Sequence, residues 1–389
     1  MHVVDVHERA IAISRYEDRK APSGGLTTSI VAVVTDVIRD GRQVVGYGFS
    51  SIGRFAQSGL IRERFAPRLI AATAVELANR DGTNIDPFRA WNAMMKDEKP
   101  GGHGERCVAV GTLDMAIWDA AAKIAAVPLH WHLADATGMP RRERPKVPVY
   151  AGGGYYHPTE DLPRLSDEIR RYRGLGYERV KIKIGGTSIA RDLNRIDTAI
   201  SRLAAPNHLA VDAMNSYDAN SGISAAVALA PYGLWWFEDI CDPLDFETLT
   251  AIATAYHHPI AAGEALFSAA EARLLGRHGG LRRDKDILLF DPVHCYGISG
   301  YLQVFRHLVS IGWRRSAFWP HGGHLFCLHL VAALGLGGAE SNPLNFQPFG
   351  GYADGTIIDG GLAVPPDVPG IGFEAKDSLR DLFQTLHVS

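Results

Sequence analysis

From residue 147 onward, short runs rich in β-branched and aromatic residues alternate with longer stretches whose apolar positions recur at helical spacing. The runs are VPVYAG (147–152), RVKIKI (179–184), HLAVDA (208–213), LWWFED (234–239), HPIAAGEA (258–265), DILLFD (286–291) and SAFWPH (316–321). Between them, segments such as TEDLPRLSDEIRRYRGLG and IARDLNRIDTAISRLAA carry the period of an amphipathic helix. Strands alternating with helices predict βα units and a parallel sheet.

Most runs finish on a residue able to do chemistry: Lys183, Asp212, Glu238, Glu264, Asp291 and His321. The intervals between these markers are 29, 26, 26, 27 and 30 residues. One strand, one helix and two short loops fill that length in a (β/α)₈ barrel of ~250 residues, where the carboxyl ends of all strands open onto one mouth. A doubly wound open sheet would gather such residues only at its switch point. The beat therefore predicts a barrel over 126–350.

Residues 1–125 follow another pattern. VAVVTDVIRDGRQVVGYGFS (31–50) reads as a hairpin turning at Asp40–Gly41. The segments 60–70, 87–96 and 109–124 read as helices. An α+β region over 1–125 is expected to cap the barrel mouth. Residues 351–389 return to short strands and turns and are expected to pack back on the cap.

Bulk composition narrows the partners. The 389 residues are 46% hydrophobic with a formal net charge of −3, which fits a soluble globular protein and gives no electrostatic reason for nucleic acid or an anionic membrane as partner. The first twenty residues interrupt their apolar positions with charges too often for a signal peptide, and no apolar run approaches the ~20 residues of a membrane span. Cys107, Cys241, Cys295 and Cys327 are far apart, which fits reduced thiols in a cytoplasmic protein.

Asp212, Glu238 and Glu264 stand at matched positions on three successive strands. Any one of them alone fits a helix cap or an arginine partner. Three carboxylates converging on one mouth would repel, and a hard divalent cation such as Mg²⁺ resolves that conflict. Lys181 and Lys183 alternate with aliphatics one strand earlier, so both point to one face. On the inner face near the mouth, burial and the positive charge of each other and of the metal are expected to depress a lysine pKa and free an amine to act as base. His321 ends the seventh run, about opposite the lysines, and Asp291 on the adjacent strand is placed to orient its imidazole. His324 in the same PHGGH is expected to be structural. A zinc site at HGGH is weaker than the oxygen-donor set, and no strand–G-x-G-x-x-G–helix unit supports a dinucleotide. Arg54, in FSSIGRF (49–55), lies in a cap loop where it would either be solvated or neutralise a second substrate carboxylate.

The K-x-K of Lys181 and Lys183, the Asp212/Glu238/Glu264 set and the Asp291/His321 pair together resemble the enolase superfamily, in its mandelate racemase-like group. The resemblance spans essentially the whole chain. It implies an α/β fold with a modified TIM barrel, (β/α)₇β, and an α+β capping domain, and it implies Mg²⁺ as cofactor and a homo-oligomer. Within that group, MMKDEKPGGHGER (94–106), GEALFS (263–268), PHGGH (320–324) and FQPFGGYADG (346–355) resemble dehydratases of the D-tartrate type. That likeness implies a small-molecule hydroxy acid or acid sugar as substrate. It also implies Lys183 as C2 base, His321 as acid, Lys181 and Glu340 on the substrate carboxylate, and Lys99 reaching the site. Met214 stands where the group usually carries an asparagine. A substrate with no 3-hydroxyl would be racemised or epimerised by the same pair, and a non-catalytic acid-sugar binder would need no such pair.

Overall fold

Asp40 and Gly41 both hold positive φ, 49° and 74°, the two-residue turn that suits right-twisted strands. The expected hairpin forms there. In this computed structural model, which describes residues 1–18 and 20–386, strands β1 (Val3–Ala12), β2 (Thr27–Arg39) and β3 (Arg42–Phe49) form an antiparallel meander in that order. β1 has no counterpart among the elements expected from sequence. It is an edge strand exposed along much of its length, so it lacks a clean apolar alternation.

The helix Glu105–Ile124 lies on this sheet and is buried along almost its whole circumference. Glycine makes the close approach possible. A Cβ on Gly46 would sit 1.9 Å from the Ala116 carbonyl oxygen, and one on Gly48 would sit 2.4 Å from that of Thr112. The same helix packs against the barrel helix Gly297–Ser310, which joins cap to barrel.

The barrel strands are β4 (Val147–Gly152), β5 (Val180–Lys183), β6 (Leu209–Asp212), β7 (Phe237–Glu238), β8 (Ile260–Ala262), β9 (Ile287–Leu288) and β10 (Ala339–Ser341). They pair in parallel in the order β10-β4-β5-β6-β7-β8-β9. The seventh run, 316–321, differs from expectation: 315–317 is a 3₁₀ turn, and only Phe318 forms a ladder bridge, to Leu288. Pro320 has no N–H to donate, and Gly322 and Gly323 turn the chain immediately afterwards. Backbone bonds still close the barrel through this extended segment, from Trp319 N to Leu288 O (2.9 Å), His321 N to Leu289 O (3.1 Å) and Gly337 N to Phe318 O (3.0 Å).

Inside the barrel, Tyr150, Ala210, Trp236, Ala261, Leu289 and Trp319 form an apolar plug, the small alanines making room for the indoles. Residues two apart on a strand share a face. The positions two beyond Ala210, Trp236, Leu289 and Trp319 are Asp212, Glu238, Asp291 and His321, so the polar layer rests directly on the plug. Parallel register keeps it level, pairing Lys183 with Asp212 and Asp212 with Glu238.

The tail touches both halves. β11 (Leu362–Ala363) pairs antiparallel with β4, and the helix Asp377–Gln384 then buries Leu379 and Phe383, with Phe383 stacked 4.7 Å from Tyr47 of the cap sheet. The Asp119 carboxylate ties these parts together, accepting from Tyr47 N (2.9 Å) and Ile371 N (2.7 Å). Among the described residues no helix is long and apolar enough to cross a membrane.

One buried pair makes this packing pH-sensitive. His329 Nε2 donates to the Ile371 carbonyl (2.9 Å), which leaves Nδ1 as acceptor for the His130 N–H (3.2 Å). Burial pushes His130 down to about 4 and His329 to about 3. The unfolded chain takes up these protons near pH 6.5 and the folded chain does not, so the stability of the neutral pair is complete above that pH. It is lost as pH falls towards the folded values. His329→Gln, which keeps a donor for Ile371, is expected to flatten the fall in unfolding free energy between roughly pH 6 and 4 by about 1.4 kcal/mol per unit, measured by urea melts. Identical slopes in the two proteins would remove the histidine from that role.

Candidate active site

Asp212 and Glu238 end β6 and β7, and Glu264 follows β8 by two residues. One oxygen from each lies within 4.8 Å of the others. Two of the carboxylates are fixed by donors two residues away in the chain: Trp236 Nε1 to Glu238 Oε2 (2.7 Å) and Met214 N to Asp212 Oδ1 (2.8 Å). Both lysines of β5 reach into the group. Lys181 Nζ is 2.5 Å from Glu238, 3.2 Å from Glu340 on β10 and 3.7 Å from Asp212, and Lys183 donates to Asp212 Oδ2.

Burial raises Asp212, but the Lys183 and Lys181 ammonium groups outweigh it and hold the carboxyl at about 2. Glu238 goes the other way, to about 8, because burial and the charges of Asp212 and Glu264 together exceed the pull of Lys181. Among the protein's own groups alone, Lys183 is raised and not depressed. Burial does lower it, yet Asp212, hydrogen-bonded to the ammonium, dominates and raises its pKa. The alternation along β5 shows the like charge of Lys181, whereas the carboxylate beside Lys183 comes from the parallel register with β6.

The donor set fits a hard divalent cation. All three ligands are carboxylates, and Glu264 Oε2 is buried with no hydrogen-bond partner among the described residues. Lys181 and Lys183 offset the repulsion inside the trio only on the side of Asp212 and Glu238.

Across the mouth, His321 Nδ1 donates to Asp291 Oδ2 at 2.9 Å, which turns Nε2 towards Glu264 Oε2 at 3.5 Å. Asp291 is itself fixed by Ser51 Oγ on Oδ2 (2.7 Å) and by Val293 N on Oδ1 (2.7 Å). Burial opposes charge on His321, but Glu264, Asp291 and Glu340 raise it to about 9. His324 is fully buried, 3.0 Å from Ser51 Oγ and edge-on to Phe49 at 4.7 Å.

These groups open into a cavity of about 240 Å³ lined by Lys183, Asp212, Glu264 and His321 below and by Arg15, Arg54 and Tyr155 above. Arg54 lies over Phe267 at 4.6 Å and Arg15 over Tyr155 at 5.5 Å. A larger cleft, about 950 Å³ beside Asp5, Arg39 and Lys123 of the cap, holds none of this set. Lys99 is placed elsewhere than expected. Its side chain is exposed and does not line the mouth, because Arg106 pins its loop by donating to Lys99 O (3.0 Å) and Tyr296 Oη (2.9 Å).

Ser51, Arg15, Tyr155 and Asp239 were not among the residues expected from sequence. Asp239 directly follows Glu238 and is buried, its pKa raised by burial and by Glu264, Asp212 and Glu238. Its position in LWWFED was the available signal. Ser51 and Arg15 carried none, since only the fold brings residues 15 and 51 beside 155 and 291.

A family model described as "Enolase C-terminal domain-like" matches residues 164–379. Arabinonate dehydratase of Saccharolobus solfataricus is 27% identical over 301 residues, covering 76% of this chain and 77% of that protein. L-talarate/galactarate dehydratase of Salmonella typhimurium is 28% identical, covering 79% and 71% respectively. The structure of L-talarate dehydratase from Polaromonas sp. JS666, complexed with Mg and L-glucarate, superposes with a TM-score of 0.73 at 24% identity over 95% of this chain and 94% of that one.

Proposed function

The chain belongs to the enolase C-terminal domain-like family, and from that premise we propose that it is a Mg²⁺-dependent dehydratase of acid sugars, acting on a hydroxy diacid of the tartrate type. The observation that supports this reading is that the Lys183 ammonium meets Asp212 and the His321 imidazole meets Glu264, so a lysine and a histidine flank the carboxylate trio within one mouth. Relatives named as arabinonate and talarate/galactarate dehydratases, and a structural neighbour holding Mg and L-glucarate, support the substrate class and the cation.

Asp212, Glu238 and Glu264 would hold the cation, which when bound supplies charge stabilisation for the developing ene-diolate. Lys181 and Glu340 bracket the substrate carboxylate. Asp212, which keeps Lys183 protonated, would be engaged by the cation it holds, and burial and Lys181 both favour the neutral amine. Lys183 then takes the proton from C2. His321, held by Asp291 through Nδ1, gives its Nε2 proton to the 3-hydroxyl, which leaves as water. The enol tautomerises to a 2-keto acid, oxaloacetate if the substrate is tartrate. Stripping the protein with EDTA is expected to abolish keto-acid formation and Mg²⁺ to restore it. Full turnover after exhaustive chelation would overturn the assignment of the trio.

The diacid preference rests on Arg15 and Arg54, two guanidinium groups on the lip of the mouth opposite the trio. Arg15→Ala and Arg54→Ala are each expected to raise KM for a diacid about 10–100-fold, the worth of a hydrogen bond to a charged group. KM for a monoacid sugar should change little. Equal losses on both substrates would assign the arginines to packing on Tyr155 and Phe267.

A further inference from the structure

Beside His321 and outside the carboxylate trio lies a second set of ligand atoms. Those of Asp291, His294 and His321 all lie within 4.8 Å of one another. Asp291 Oδ2 is 2.9 Å from His321 Nδ1 and 3.8 Å from His294 Nδ1. The two imidazoles are 5.7 Å apart, inclined at 36°. His294 is 2% exposed, and neither of its ring nitrogens has a hydrogen-bond partner among the described residues. A buried imidazole with both nitrogens unused is costly unless something engages it. Nothing in the dehydration chemistry above employs His294.

We propose that Asp291, His294 and His321 form a second cation site that takes a borderline transition-metal ion of the zinc class, and that its occupation stops proton transfer at His321. Two imidazole nitrogens and one carboxylate oxygen are a zinc-type donor set with a fourth position open, whereas the trio, all oxygen, favours Mg²⁺. The two ions are thus sorted by ligand chemistry. Binding replaces the Nδ1 proton that His321 donates to Asp291, and that proton goes to solvent. A ring holding a cation on Nδ1 keeps its Nε2 proton and is no longer oriented by Asp291, so it serves neither as acid nor as base. His321 is the member of the set that lines the mouth, so the ion enters along it. The inhibitory half rests on the function proposed above; the binding half does not.

The test is calorimetric titration of Zn²⁺ into the full chain held in excess Mg²⁺. One Zn²⁺ per chain is expected. His294→Phe, which fills the ring's volume without a ligand atom, should weaken it by more than the roughly 10–100-fold that loss of an outer-shell partner costs. Zn²⁺ should also stop acid-sugar turnover in the wild type at concentrations that spare His294→Phe. Absence of a zinc site in excess Mg²⁺, or a site indifferent to His294→Phe, overturns the proposal. Should that variant not fold, cobalt(II) absorption of the wild type decides. Intense d–d bands of a four-coordinate, nitrogen-containing site support it, and weak octahedral-type bands overturn it. A zinc site lost in His294→Phe, in a protein with no turnover on Mg²⁺ alone, supports the site and counts against the dehydratase reading.

Discussion

Lys183→Ala is expected to lose both 2-keto acid formation and deuterium exchange at C2 by about 10²–10⁴-fold or more, the usual worth of a positioned acid/base group. Lys183 ends β5 and lines the mouth beside Asp212, with its ammonium 5.2 Å from the centre of the Tyr155 ring. Truncation also leaves Lys181, at 3.7 Å, as the nearest ammonium to Asp212 among the described residues, so a loss in the alanine variant mixes the missing base with a disturbed trio. Lys183→Arg separates the two effects. It keeps a cation beside Asp212 but cannot be deprotonated in a protein, so it should fold and bind yet be as inactive as the alanine variant. Activity in Lys183→Arg near the wild-type level would exclude position 183 as the base.

His321→Asn should lose keto-acid formation by a similar ~10²–10⁴-fold while keeping much of the C2 exchange, because Lys183 remains in place. Proton NMR in D₂O reads both. The split matters because a racemase or epimerase uses the same pair with another outcome. There, wild-type protein would wash deuterium into recovered substrate with inversion and yield no keto acid. The pH dependence follows from the partners of His321. As proton donor it must be charged; the protein's own carboxylates, Glu264 first, raise it to about 9, and with Glu264 committed to a cation its contribution would be lost as pH rises through a value below that. Asp291 is one cause of the rise, so Asp291→Asn should move the alkaline limb of the rate profile to lower pH.

The periodic part of this molecule was legible in its sequence. VPVYAG is β4 residue for residue, and Lys181 and Lys183 share the inward face that their alternation implied. The barrel beat worked because buried parallel strands need apolar runs and their carboxyl ends share one mouth. What the sequence hid depends on contacts between distant residues. Ser51 meets Asp291 across 240 positions. The raised pKa of Lys183 comes from a carboxylate on the next strand rather than from its own neighbours. Lys99 faces solvent because Arg106 fixes the loop backbone, a choice that motif matching does not see. The seventh strand loses its regular ladder to a proline and two glycines that stand where His321 must be aimed.

The reaction proposed for this mouth is the removal of a C2 proton and a 3-hydroxyl from an acid sugar with Mg²⁺. The most direct measurement incubates the wild-type protein in D₂O with Mg²⁺ and a panel of mono- and diacid sugars that includes the tartrates, following 2-keto acid by absorbance and C2 deuterium by NMR. Mg²⁺-dependent keto acid from a hydroxy diacid is the expected result. A panel yielding neither keto acid nor C2 deuterium on any member would contradict it.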